Sequence, residues 1–570
     1  MRKVVHLIVV ILILSLNSRA QNITAPYEFQ AKYHMLDSSE LYAPKISGKA
    51  FTATSPPTGT IRAIAEWEPA QAVLVSYPGN FGIPYSLIAE MSENCNVITI
   101  VETSGQQSTV NTNYTNNGVN LSNCSFKIAS LDSYWTRDYG PWFIMNNNSN
   151  IAIIDFPYNR PSRPNDDNIA VFLAGASHLN MPWYGMNILH TGGNYMCDGM
   201  GVAAMTDLVE DENNSLTHAQ IDTAFKQYMG ITRNYMTNDP LGDYIQHIDC
   251  WGKFLDVDKV LIASVPTSNS HYSDYEAMAT FWANEISSYG NHYQVFRVYE
   301  PSGQPYTNSL ILNKKVFIPI YTNWNTTNNN NALAVYQLAM PGYEIIGINY
   351  SGWVSTDALH CRTHEIADKG MLYIKHLPLL GEKPIQAHSI NTEIYALSGS
   401  SIIADSVYVK YRVYHGSWGA WTKINMTNSS GNSWTASIPQ QQGGDTIVYY
   451  IHASDQSPRN ETHPLIGQPD PHKFYLTGTT TVIEEKEPVK AIVFPNPAVD
   501  YLFIQIKNSE NASVLVKIFD MVGKEIMSAN EINLNERMLK FNISTLPAGP
   551  YFVNISTEKY SETRKIMVMH

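Results

Sequence analysis

The chain has 570 residues, of which 44% are hydrophobic and only 15% charged, with 35 Tyr, 11 Trp and 18 Phe. That composition fills large packed cores and excludes a disordered or collagen-like chain; at about 100–200 residues per domain, the length implies three or four domains. Acidic residues outnumber basic ones by 50 to 37, a formal charge of −13, and no run of Lys and Arg is present, which excludes a nucleic acid as the main partner.

In chain order, Arg2 and Lys3 precede an apolar run from Val4 to Leu16, and Ser18-Arg19-Ala20 places small residues where a signal peptidase reads. Residues 1–20 are therefore expected to be a signal peptide, the run being shorter than the roughly 20 apolar residues that span a bilayer. No later stretch is long and apolar enough to span, so the mature chain is expected to be secreted or attached to the outer surface, with no transmembrane segment. Residues 21–58, polar and punctuated by Pro, Gly and Ser, read as an N-terminal extension or propeptide.

From 59 to 384, short β-like runs (Ala72–Tyr77, Val97–Val101, Ile151–Phe156, Val260–Val265, Val316–Ile320) alternate with helix-like stretches (Tyr85–Glu93, Asn168–His178, His218–Gly230, Asp274–Tyr289, Ala332–Ala339). This is the pattern of an α/β domain; no sequence period announces repeats. Beyond Pro384 the helices vanish. Val407, Val409, Tyr411 and Val413 alternate with Tyr408, Lys410 and Arg412, the period of a strand. A β-sandwich of immunoglobulin type, without the two cysteines of an antibody domain, fits 385–478. A Thr/Glu/Lys linker occupies 479–489, and 490–570 is a second, small β unit.

Five cysteines, Cys95, Cys124, Cys197, Cys250 and Cys361, are too few for a disulfide scaffold, and an odd count leaves at least one thiol unpaired. Cys95 and Cys124 share one early segment and could pair. Four patches concentrate reactive side chains. Trp135-Thr136-Arg137-Asp138-Tyr139-Gly140-Pro141-Trp142 reads, on its own, as a surface loop with an Arg–Asp ion pair packed by Trp. Arg160-Pro161-Ser162-Arg163-Pro164, followed by Asp166 and Asp167, is either a bidentate grip for a carboxylate or two solvated Arg beside two Asp. In His247-Ile248-Asp249-Cys250, period two puts His247 and Asp249 on one strand face. The fourth patch is Asp357-Ala358-Leu359-His360-Cys361-Arg362-Thr363-His364-Glu365. His247, Cys250, Cys361 and His364 are the residue types of a Cys₂His₂ zinc site, although strand alternation sends Cys250 to the opposite face. The competing chemistry is a Cys nucleophile with His as acid and base and carboxylates holding a cation.

Arg-Asp-Tyr-Gly-Pro-Trp, His-Ile-Asp-Cys and Ala-Leu-His-Cys-Arg-Thr-His-Glu, in that order, resemble the guanidine-modifying enzymes, and most closely the Porphyromonas-type peptidylarginine deiminases. Ala63-Ile64-Ala65-Glu66, His190-Thr191-Gly192-Gly193-Asn194-Tyr195-Met196, Pro305-Tyr306-Thr307-Asn308-Ser309 and Met340-Pro341-Gly342-Tyr343-Glu344 extend the resemblance, which covers roughly residues 60–475. Pro495-Asn496-Pro497 and the closing Gly549-Pro550-Tyr551 resemble a sorting domain of the type IX secretion route, which would engage that machinery.

The resemblance implies a five-bladed α/β propeller (pentein) followed by an immunoglobulin-like domain. It implies Cys361 as nucleophile, His247 as general acid/base, Asp138 and Asp249 as guanidinium-binding carboxylates, and Asn308 as the polar residue completing the site. Trp135 would line the substrate site, and Arg160, Arg163 and Tyr244 would hold the carboxylate of a C-terminal arginine. Ser162 departs from the family pattern by adding a residue between the two Arg, between prolines that limit how the loop absorbs it; both are expected still to grip. The implied reaction turns peptide arginine into citrulline and ammonia through a covalent thiouronium and needs no metal or cofactor. A deiminase of agmatine or free arginine is the alternative, with no carboxylate for Arg160 and Arg163 in the agmatine case. A surface binding protein with a catalytically dead α/β domain is the reading from another class, and the joint presence of Cys361, His247, Asp138 and Asp249 argues against it.

Overall fold

The computed structural model describes residues 51–242, 245–477, 490–507, 514–520, 523–531, 537–556 and 561–569. The signal run, most of the extension and the linker lie outside the described residues.

One unit recurs five times among the described residues before the sandwich: two antiparallel strands, a helix, and a third strand parallel to the second. Gly252–Asp256 pairs antiparallel with Lys259–Ser264, the helix Tyr272–Asn284 crosses back, and Gln294–Tyr299 lies parallel to Lys259–Ser264. Leu310–Leu312, Lys315–Ile320, the helix Thr326–Ala339 and Glu344–Asn349 repeat it. So do Met196–Cys197, Val202–Thr206, the helix His218–Met229 and Arg233–Thr237, and Trp142–Asn146, Asn150–Asp155, the helix Ile169–Ala174 and Trp183–Gly185. In the fifth unit the antiparallel partner comes from the far end of the domain: His364–Ala367 pairs with Ala70–Tyr77, and Asn96–Val101 follows the helix Tyr85–Asn94. A parallel pair needs such a crossover, and strands covered on both faces read as continuous apolar runs.

All five expected β-like runs fall on strands. The helices differ more. Asn168–His178 shrinks to Ile169–Ala174, where Gly175 ends it. Ala332–Ala339 is preceded by two more turns, starting at Thr326, because the Asn325 side chain accepts from the amides of Thr327 and Asn328. The helix Ser104–Asn116 has no apolar stripe; only Val110 and Tyr114 are buried, and Thr103 caps it. The helix His218–Met229 starts in a Thr217–Gln220 capping box and ends at Gly230, whose φ of 70° and contact with Ile61 leave no room for a side chain. The described end of the extension is tied down: the Thr54 amide donates to the Gly185 carbonyl at 3.1 Å.

Two sheets follow, antiparallel throughout except for the edge strand Gly381–Lys383, which runs parallel to its neighbour. One orders Leu372–Lys375, His388–Ala396, Ser433–Ile438 and Thr427–Ser430; the other is built on Gly381–Lys383, His472–Leu476, Thr446–Ser454 and Tyr408–His415. Residues of both face one apolar core that includes Ile374, Ile390, Tyr449 and Phe474. Strand pairing thus begins at Leu372, ahead of Pro384. The end block forms a three-stranded and a four-stranded antiparallel sheet over a separate core. Among the described residues no helix is long and apolar enough to cross a membrane.

Candidate active site

Turns at the strand ends bring four distant segments together. Cys361 closes a loop stapled by Arg362, whose Nε and Nη2 each donate to the Asp357 carboxylate at 2.8 Å. Asn308 grips the same loop: its Oδ1 accepts from the His360 amide at 2.9 Å and the Cys361 amide at 3.4 Å, while its Nδ2 points at the Cys361 sulfur at 3.3 Å. Asp138 lies on the four-residue helix Thr136–Tyr139, held to the loop by the Arg137 amide donating to the Cys361 carbonyl at 3.1 Å. His247 opens a single 3₁₀ turn, Ile248–Cys250, fixed from both ends. Asn194 Oδ1 accepts from the Ile248 amide at 3.3 Å, and Thr307 Oγ1 donates to the Cys250 carbonyl at 3.0 Å.

These turns gather Cys361, His247, Asp138, Asp249 and Asn308 into one buried cluster. The Cys361 thiol faces Asp249 Oδ2 at 3.8 Å, and His247 Nδ1 lies 3.7 Å from Asp138 Oδ1. Gly193 forms the wall beside this pair; a Cβ there would sit 2.6 Å from His247 Nδ1 and 2.8 Å from Asp138 Oδ1, so only glycine fits. Arg160 and Arg163 are buried as well, and the Arg163 amide donates to the Arg160 carbonyl at 2.9 Å, closing a turn that absorbs Ser162. The Arg163 guanidinium lies over the Trp135 ring at 4.7 Å, and its Nη1 donates to the Tyr158 hydroxyl at 3.3 Å.

Residues 62–366, more than half of the chain, match the family of Porphyromonas-type peptidyl-arginine deiminases. The chain belongs to that family. Residues 492–569 match the secretion system C-terminal sorting domain, which points to secretion or surface attachment by the type IX route. A Streptomyces avermitilis protein named "Putative agmatine deiminase" is 27% identical over 130 residues, 20% of this chain and 36% of that protein. One of the same name from Mycoplasma mycoides is 24% identical over 187 residues, 30% of this chain and 51% of that protein. The matched regions span a third to a half of these curated relatives. An X-ray structure described as a "putative agmatine deiminase" aligns with a TM-score of 0.50 at 18% identity, covering 56% of this chain and 100% of the other. The mixed α/β fold is that of the arginine and agmatine deiminases.

Within this cluster the two carboxylates are held differently. Burial pushes Asp249 up, but the His360 ring, whose Nδ1 donates to Asp249 Oδ2 at 2.7 Å, together with nearby His247 and Lys253, outweighs it and holds the carboxyl below its usual range. Asp138 is pushed up to about 7 by burial and by the neighbouring charge of Asp249, with Arg160 and Arg163 pulling the other way. Both Arg therefore act on the carboxylate beside His247. Burial first, then Asp249, Asp357 and Asp138, push the Cys361 thiol well above its ordinary value.

Several expectations change. His247 and Asp249 share no strand; the 3₁₀ turn converges them because its ends are tied to distant side chains. The Arg137–Asp138 patch is no surface loop: both are buried, and Arg137 Nη2 pairs with Glu365 Oε2 at 2.6 Å rather than with Asp138. Arg160 and Arg163 are not solvated beside their aspartates. Asp166 instead accepts from Ser133, and Asp167 from the Tyr158 amide. Cys95 and Cys124 are both free thiols. Among the described residues no group of three His, Cys, Asp or Glu is arranged to hold a metal, and Cys250 donates instead to Asp249 Oδ1 and the Thr356 carbonyl. Tyr244 lies outside the described residues.

Residue types alone miss what stands behind the cluster. His360 bridges Asp249 to Glu66 through Nε2 at 3.2 Å, and Glu66 pairs with Lys253 at 2.5 Å. Glu66 is half-buried, and Lys253 and His360 hold it down to about 2. Both residues sit in quoted motifs, next to Cys361 and in Ala63–Glu66, and that adjacency is the signal that could have found them.

Proposed function

We propose that the chain is an exported peptidyl-arginine deiminase that converts the guanidinium of arginine, preferably C-terminal arginine, to citrulline and ammonia. The observation that carries this reading is the burial of two guanidinium groups, Arg160 and Arg163, beside Asp138 in the cluster that holds Cys361. A site for a cation alone has no use for two buried cations; a substrate with a guanidinium at one end and a carboxylate at the other pairs with both sets. The five recurring units fit five blades of a propeller around the cluster, and the sandwich after it fits an immunoglobulin-like domain.

The chemistry follows from the charges. Asp138 and Asp249 take the N–H edges of the substrate guanidinium and hold its carbon over Cys361 Sγ. In the empty site the thiol keeps its proton; the arriving cation offsets the surrounding carboxylates, so the proton can pass to His247 as sulfur attacks. The S–C bond forms, His247 returns a proton to the departing nitrogen, and ammonia leaves a thiouronium. Water, deprotonated by His247, adds to the same carbon, the C–S bond breaks, and the ureido product and the thiol remain.

A deiminase of agmatine or free arginine is the second reading, favoured by the name that the curated relatives carry. Product analysis on agmatine, free arginine and peptides with internal or C-terminal arginine separates them. Fastest turnover is expected for C-terminal arginine. Equal turnover of internal and C-terminal arginine overturns the carboxylate grip, and fastest turnover of agmatine selects the second reading.

A further inference from the structure

The outward face of the larger sandwich sheet runs against the charge of the chain as a whole. Val409, Tyr411, Ile447, Tyr449 and Phe474 point into the core, so strand alternation sends Tyr408, Lys410, Arg412 and Tyr414 outward, along with Lys473 and Tyr475. Lys423 joins them opposite Lys410, and Trp418 opposite Tyr414. Four cations from three stretches of sequence thus share one face of a chain whose net charge is −13, with Glu382 level with Tyr475 at the far edge.

The cations rest on rings. The Arg412 guanidinium lies 4.3 Å from the Trp418 ring centre and 4.9 Å from that of Trp421. Lys423 stands over Tyr408 at 4.4 Å and Lys473 over Tyr475 at 5.6 Å. Tyr414 braces Trp418 at 5.2 Å, yet Trp418 is 44% exposed, Tyr475 41% and Tyr414 40%. Large rings left open to water at a cost in apolar hydration, braced from the side and interleaved with cations, mark an interaction surface.

We propose that this face binds an acidic polysaccharide. A pyranose ring lays its C–H face on an exposed indole or phenol while its hydroxyls stay hydrated, and its carboxylate or sulfate reaches Lys410, Arg412, Lys423 or Lys473. A neutral glycan leaves the four cations without a role, and an acidic polypeptide leaves the open rings without one. The sorting domain points to secretion or surface attachment, which leaves this face open to partners outside the cell. A nucleic acid also offers rings and anions, but its dense phosphate charge opposes the excess negative charge of the rest of the chain.

Affinity electrophoresis of the full mature chain tests this with polygalacturonate, chondroitin sulfate, neutral dextran, polyglutamate and an oligothymidylate. Retardation is expected with the two acidic polysaccharides, weakening as salt rises, and at least about tenfold weaker with dextran and polyglutamate, a difference of about 1.4 kcal/mol. Trp418→Ala and Arg412→Ala are each expected to weaken it about tenfold while arginine turnover stays unchanged, and Arg412→Lys, which keeps the charge but loses the stacked plane, to recover only part. Unchanged turnover certifies the fold of each variant. Equal retardation by polyglutamate, retardation by the oligothymidylate alone, indifference to Trp418→Ala, or no retardation by any probe overturns the proposal.

Discussion

Asp249 and Asp138 are the same side chain, each 3% exposed, and both act on one cysteine. Asp249 has the His360 ring at 2.7 Å and, behind that ring, Glu66 paired with Lys253, and stays ionised. Asp138 has burial and the charge of Asp249 against it, with Arg160 and Arg163 pulling the other way, and is pushed up to about 7. Desolvation is common to both; what differs is whether the fold supplies a donor. One flank of the site carries a permanent charge, and the other takes its charge when a cation arrives.

Both carboxylates push up the Cys361 thiol, and removal of that thiol has the largest effect. Cys361→Ala is expected to lower turnover by about four orders of magnitude while leaving substrate affinity largely intact, as single-turnover and binding measurements will show. Cys250→Ala should keep substantial activity, and the reverse pattern would move the nucleophile. Next, Asp249→Asn breaks a buried charge pairing worth about 3–5 kcal/mol and should lower kcat/KM by about 10²–10³-fold at every pH. Asp138→Asn should match that loss only above about pH 7 and cost less below it, where the parent residue is already protonated. Equal losses at all pH would erase the difference between the flanks.

Smaller effects sharpen it. Because binding uses ionised Asp138, kcat/KM should rise with pH towards about 7 and then level. Arg160→Ala removes a cation that holds Asp138 down, so this limb should move to higher pH. The same change should raise KM for C-terminal arginine about ten- to a hundredfold, a loss of about 1.5–3 kcal/mol for a charged hydrogen bond, with internal arginine less affected. The smallest effect is on stability. The Asp138 carboxyl binds its proton more tightly folded than unfolded, so its contribution to stability falls as pH rises from 3.8 to about 7. Melting curves of Asp138→Asn should therefore coincide with the parent in acid and lie above it in mild alkali.

The alternation of apolar runs and helices is legible in the sequence because parallel strands are buried on both faces. The fivefold recurrence is not, because one unit takes its first strand, His364–Ala367, from the far end of the domain. Cys361, His247, Asp249, Asp138 and Asn308 stand out by residue type and motif. How His247 and Asp249 converge does not, since the turn between them hangs on Asn194, 54 residues before Ile248, and on Thr307, 57 residues beyond Cys250. The unequal flanks escape for the same reason: His360 meets Asp249 across 111 residues and Glu66 across 294. The cationic face of the sandwich likewise exists only once the strands pair.

Gly193 sets a limit on remodelling. Where most pockets are walled by side chains that can be trimmed or exchanged, His247 and Asp138, 3.7 Å apart, are backed here by the bare backbone of one glycine. No substitution makes that wall thinner, and any substitution thickens it into Nδ1 of His247 and Oδ1 of Asp138. A guanidinium bearing an extra alkyl group on that side has nowhere to put it, so room for a bulkier cation has to be cut elsewhere. The loop carrying Arg160 and Arg163 closes on its own turn and can be redrawn without moving Cys361, His247 or Asp249, so under the proposed function a change of substrate begins at the outer end of the arginine rather than at its reacting carbon.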